Sequence, residues 1–119
     1  MQYKMGDIVF ASEAIKKEEN SSVKSHLFVI IDDDGNVVPA EYFGFVVSSN
    51  LSKSKENSVF KYNERVNKDN SNNLKTDSIV KCDQLMSIPT DNINMKIGTV
   101  LEEDLTRFLQ AFENYLEEN

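Results

Sequence analysis

The chain has 119 residues, 39% of them hydrophobic and 28% charged, with a formal net charge of −7. That length suits one domain, expected over residues 1–119, and the apolar share supports one modest core, which excludes a fully disordered chain. No apolar run reaches the roughly 18 residues of a membrane span, the first residues lack the form of a secretory leader, and one cysteine with one histidine excludes a disulfide framework or a Cys- or His-rich metal site. No cofactor, metal or membrane partner is expected, and a reduced, cytoplasmic setting is the default.

The charge is uneven. Residues 1–47 carry four lysines against eight acids, and residues 99–119 one arginine against six acids. Residues 48–73 carry five basic side chains against three acids, and residues 74–98 three of each. An acidic total counts against a long nucleic-acid track, because neutralising phosphates drives such binding. A small phosphate-binding face in the neutral-to-basic middle remains compatible with it.

In chain order, Gly6–Ala11 (GDIVFA) reads as a first strand. Ser12–Ser25 is polar and reads as a surface loop, with a short helical turn at Glu13–Lys17. His26–Ile31 (HLFVII) is apolar on both faces and reads as a central, buried strand. Asp32–Asn36 is a turn by composition. Tyr42–Val47 (YFGFVV) is a third strand, in which Gly44 signals a bulge or a close backbone approach. Ser48–Asn73 holds six Ser, seven Asn and four Lys and reads as loop, with an edge strand at Val59–Tyr62.

Ser78–Cys82 and Leu85–Ile88 read as two short strands, or one long strand bulged at Asp83-Gln84, ended by Pro89. Cys82 is expected to be a buried, inert thiol. Leu101, Leu105, Phe108, Phe112 and Tyr115/Leu116 recur at helical spacing. Thr99 with Glu102 fits a capping box, so one helix of about 16–18 residues should lay this stripe on the sheet. Strands without intervening helices argue against βαβ units. The expected fold is mainly β with α: a small antiparallel, barrel-like sheet with a long C-terminal helix.

Of the chemistry-bearing residues, Lys24-Ser25-His26 opens the second strand and Ser48-Ser49 closes the third. If those strands are antiparallel neighbours, a cation, an imidazole and hydroxyls share one rim, a set whose donors match phosphate oxygens. Each also has a plainer role, as surface lysine, strand-edge histidine or turn serines.

Five stretches together resemble the MazF/PemK-like toxins of bacterial toxin–antitoxin pairs. They are Gly6-Asp7-Ile8-Val9, the loop ending in a basic residue before His26–Ile31, the strand ending at Ser48-Ser49, Asp77–Ile88, and Lys96-Ile97-Gly98-Thr99-Val100 leading into the helix. The resemblance implies an SH3-like barrel, a homodimer, metal-free cleavage of single-stranded RNA with the ribose 2′-OH as nucleophile, and inhibition by a cognate antitoxin. Lys24 stands at the family's arginine position, Ser25 where many relatives have proline, and Ser48 at its threonine. Lysine lacks the bidentate guanidinium fork, whereas serine keeps the hydroxyl. The resemblance thus implies Lys24, Ser48 and His26 as the catalytic set, His26 supplying acid–base capacity, and Ser25, Ser49, Lys53 and Gln84 as RNA contacts. The rival expectation is a catalytically degenerate relative serving as a binding module for an antitoxin, a target such as gyrase, or nucleic acid.

Overall fold

The computed structural model describes residues 2–55 and 58–119. Glu56 and Asn57, inside the segment expected as loop, lie outside the described residues. Six strands and one long helix follow one another: β1 (Asp7–Lys16), β2 (Ser21–Asp33), β3 (Glu41–Ser48), β4 (Asn63–Val66), β5 (Ser78–Pro89), β6 (Ile93–Thr99) and α1 (Glu102–Glu118). The sheet is antiparallel in the order β4-β5-β3-β2-β1-β6. A further pairing of Ile15 with Ser87 joins β1 to β5. It curls the sheet back on itself, so that β1, β2, β3 and β5 follow one another round a ring, the barrel-like architecture expected from the strand pattern.

Both faces of the central strands are covered. Ile8, Val29, Phe45, Val47, Val80 and Cys82 pack with Phe108 and Ala111 of α1 in one core. Val9, Phe28, Ile30, Tyr42, Val46, Met86 and Ile88 form a second core on the opposite face. Phe28, Val29 and Ile30 of β2 are all at most 1% exposed, which is why HLFVII shows no alternation. Burying each such side chain is worth about 1.5–3 kcal/mol. At Gly44, a Cβ would collide with the Val29 carbonyl oxygen, the close backbone approach expected there.

Four expectations are corrected. Ser12–Ser25 is not a loop: β1 and β2 run through it, pairing Glu13 with Lys24, Ala14 with Val23 and Lys16 with Ser21. Ser12, Ser21, Ser22 and Lys24 are exposed there, so these strands carry polar residues without loss of pairing. The turn lies at Lys17–Glu19 as a 3-10 helix, closed by Asn20 at φ 50°. Val59–Tyr62 is not the edge strand: a 3-10 turn occupies Ser58–Phe60 and the strand follows at Asn63–Val66. Lys96–Val100, read only as a lead into the helix, falls largely within a sixth strand, β6 at Ile93–Thr99. Thr99 does not cap α1: it is the last residue of β6, and its Oγ1 donates to Asp7 Oδ1 at 3.0 Å. Leu101 occupies the N-cap without a side-chain bond.

Other expectations hold. Ser78–Pro89 is one long strand with its irregularity around Asp83-Gln84. The helix has 17 residues, and Phe108 is its fully buried centre, whereas Leu101 and Leu116 are exposed. The buried Asp7 carboxylate binds the Lys4 amide at 2.8 Å, Thr99 Oγ1 and the Lys96 ammonium at 3.2 Å, so the acid of the GDIV stretch ties β1 to β6. The nearly buried Glu64 takes Arg107 Nη1 at 2.8 Å and Lys55 Nζ at 3.2 Å, clamping α1 on β4. No helix is long and apolar enough to cross a membrane among the described residues.

Candidate active site

The strand register leaves His26 and Ser48 just beyond the last β2–β3 pair. Leu27 of β2 pairs with Val47 of β3 as the terminal rung of that ladder, and His26 and Ser48 are the next residue on each strand. Paired residues share a face and alternate residues return to it, so both lie on the face of Phe28 and Val46. Ser48 in turn pairs with Ile79 of β5. The His26 ring sits 6.4 Å from that of Phe28. Burial and the nearby Lys81 charge push its pKa below the ordinary histidine value, while a hydrogen bond to the Lys24 backbone pulls the other way. The neutral ring therefore dominates at pH 7. Ser48 Oγ accepts the Asn50 amide at 3.2 Å, which leaves its proton free to be donated.

Lys24 is exposed and pairs with Glu13 across β1. Between it and His26, Ser25 adopts φ 50°, a left-handed conformation that breaks strict alternation. As a result Val23, not Lys24, packs on the Phe28 core. Ser25, His26 and Ser49 line a cleft of about 570 Å³ on the other side of this rim. Phe10, Leu27 and Ile97 form its apolar floor and the loop Asn73–Thr76 one wall. Lys24, Ser48, Lys53 and Gln84 do not line it.

Lys53 ends a 3-10 turn, Leu51–Lys53, immediately after β3. Asn50 Oδ1 accepts the Ser52 amide at 3.2 Å, and the Lys53 carbonyl accepts Asn63 Nδ2 at 2.9 Å. Gln84 lies in the irregular part of β5. There Val47 pairs with Val80 and Phe45 with Leu85, so residues 81–84 stand opposite Val46 alone. Such bulges re-aim side chains.

This bulge carries a residue that sequence reading missed, Lys81. It is half-buried, and burial and the Lys53 charge lower its pKa while Asp83 raises it. The available signal was a lysine set between the buried apolar residues Ile79, Val80 and Cys82. Among the described residues no carboxylate lies within ion-pair distance of the Lys24, Lys53 or Lys81 ammonium. No group of three or more His, Cys, Asp or Glu side chains converges to hold a metal among them either.

The pattern for PemK-like, MazF-like toxins of type II toxin–antitoxin systems matches residues 4–116. The chain belongs to this family. Its fold agrees with that of solved structures. The Mycobacterium tuberculosis toxin MazF-mt6 superposes with TM-score 0.63 at 17% identity, over 93% of this chain and 96% of that one. An endoribonuclease in complex with its cognate antitoxin, from a mycobacterial species, superposes with TM-score 0.63 at 12% identity, over 97% and 93% of the two chains. A further mycobacterial endoribonuclease gives TM-score 0.62 at 12% identity, over 97% and 91%. No curated protein is detectably similar in sequence. At these identities the structural likeness establishes the fold, and the family match establishes the toxin class.

Proposed function

We propose that this toxin is an endoribonuclease that cleaves single-stranded RNA without a metal. The observation that carries the reading is the placement of His26 and Ser48 at the first position beyond the last β2–β3 pair, Leu27–Val47, in a PemK-like, MazF-like chain. In the proposed reaction, His26 takes the proton of a ribose 2′-OH. The 2′-oxygen forms a bond to the adjacent phosphorus and the bond from phosphorus to the 5′-oxygen breaks. That leaves a 2′,3′-cyclic phosphate and, after protonation, a free 5′-hydroxyl. Ser48 donates to a phosphorane oxygen, and Lys24 supplies positive charge and the leaving-group proton. Ser25, Ser49, Lys53 and Gln84 contact the flanking nucleotides.

The domain spans residues 1–119, acts in the cytoplasm as a homodimer, and is inhibited by a cognate antitoxin. The antitoxin-bound mycobacterial neighbour of the same fold supports the last point. The net charge of −7 favours the rival reading, a non-catalytic binding module, and one experiment separates the two. Purified protein is incubated with total RNA in EDTA, beside Ser48→Ala and Lys24→Ala. The expected result is fragmentation by the parent, with each variant folded and at least about 100-fold slower. Intact RNA with the parent refutes the nuclease reading, and variants as fast as the parent refute the assignment of the site.

A further inference from the structure

We propose that Lys81, seated in the β5 bulge, is a further catalytic residue of this site, gripping the scissile phosphate from the face that His26 and Ser48 share. The inference rests on the nuclease reading for its substrate, and on the strand register for its geometry.

Ser48 pairs with Ile79 of β5, and His26 is the residue beyond the last β2–β3 pair, Leu27–Val47, so the three fall in one row across β2, β3 and β5. The next row on that face is Phe28, Val46 and Lys81. Neighbouring strands lie about 4.8 Å apart and alternate residues of one strand about 6.8 Å, so Lys81 starts roughly 12 Å from His26, two strands over and one row down. A lysine side chain covers about half of that gap. Phe28 and Val46 of that row are buried, and Lys81 is half-buried. The charge fields agree with this placement: His26 feels Lys81, and Lys81 feels Lys53.

Three basic side chains thus converge in a chain that carries 20 acids against 13 lysines and arginines. Only Asp83 pulls the Lys81 ammonium toward its charged form. No ion pair relieves the cluster among the described residues. Desolvated like charges that cost folding free energy mark functional sites more often than structural ones. An anion with several acceptor oxygens satisfies all three donors, and a phosphodiester places them around one phosphorus. Lys81 then holds the non-bridging oxygens as negative charge grows on them, a role that the exposed Lys24 shares from outside.

The test uses the fact that His26 is the single histidine. Its imidazole signals are titrated by NMR in the parent, Lys81→Met and Lys81→Arg, with and without inorganic phosphate, alongside cleavage of total RNA. In the parent, the His26 midpoint lies below 6.5 and phosphate raises it. In Lys81→Met, the phosphate-free midpoint moves up toward 6.5, the phosphate response shrinks, and RNA cleavage falls about 100-fold. Lys81→Arg recovers both readouts. If Lys81→Met fails to fold, Lys81→Gln repeats the test with a polar side chain. An unchanged midpoint and phosphate response, or cleavage at the parent's rate, overturns the inference while the nuclease reading stands. A parent that leaves RNA intact yet keeps the Lys81-dependent phosphate response refutes the nuclease reading and leaves an anion seat at Lys81.

Discussion

Gly98 is the position where one added methyl group should be felt most clearly. It pairs with Ile8 between β6 and β1. A Cβ there would stand 2.5 Å from the Asn72 carbonyl oxygen, 2.6 Å from the Ser71 carbonyl oxygen and 2.7 Å from the Asn72 carbonyl carbon. All three are backbone atoms, so no side chain can swing aside. The loop that owns them is cross-braced. Asp69 Oδ1 accepts the Ser71 and Asn72 amides at 2.8 and 2.7 Å, and Asn72 Oδ1 accepts the Asp69 and Leu74 amides, both at 3.0 Å. The loop is tied to β6 by Thr99 N to Ser71 O and Asn73 Nδ2 to Ile97 O, each 3.0 Å. Retreating far enough to accept the methyl stretches those last two bonds. Their loss is worth about 1 kcal/mol each, and the overpacking adds about 1–3 kcal/mol. Gly98→Ala should therefore cost about 3–5 kcal/mol. With an unfolding entropy of about 2.1 cal/mol/K per residue, that lowers Tm by roughly 12–20 °C. Urea unfolding and thermal melts of parent and variant measure both figures. A loss under about 1 kcal/mol would show that the loop yields freely and that the cleft wall it forms is soft.

Two further outcomes follow from the charge and burial of single groups. His26 has a lowered pKa, so the unfolded chain binds its proton more tightly than the folded one. Its contribution to stability is therefore full above about pH 6.5 and is lost as the pH falls through that value, which urea titrations at pH 7.5 and 5.5 in the parent and His26→Gln will show as a smaller acid penalty in the variant. As the proposed base, it also sets an acid limb in kcat/KM with a midpoint below 6.5, and a midpoint above 7 would exclude it. The groups that bear on that midpoint are Lys81, the Lys24 backbone and, through Lys81, Lys53 and Asp83. Cys82 is fully buried against α1 and its thiol pKa is pushed up by that burial. It should resist a disulfide reagent in the native protein and react fully in guanidinium, and rapid native labelling would contradict the packing of α1 over β5.

What the sequence made legible was what hydrophobic burial dictates. HLFVII and YFGFVV could only be central strands, and the Phe108-centred stripe could only be a packed helix, because apolar side chains in those numbers have to leave water. The polar end of the β1–β2 hairpin and β6 were illegible for the converse reason. Their pairing is fixed by backbone hydrogen bonds, for β6 to a strand far along the chain, and exposed strand residues such as Ser21, Ser22 and Met95 leave no periodic trace. The capping box failed in the same way, since Thr99 has a better partner in Asp7, across the sheet, than in the helix it precedes.

The candidate site divides along the same line. His26 and Ser48 could be placed near one another from sequence because each borders an apolar run, LFVII or YFGFVV, whose burial was plain. Lys81 could not, because its place on their face depends on the register between β3 and β5 and on a bulge that sets four residues against one. A −7 chain also hides its basic side chains from any count of charges, since 14 of the 20 acids lie in residues 1–47 and 99–119, while among the described residues Lys24, Lys53 and Lys81 make no ion pair. Local rather than total charge decides whether a phosphate is welcome at the His26–Ser48 rim: screening confines each exposed charge to about 8–10 Å, so the acids of the α1 tail weigh on a bound phosphodiester only where they come that near.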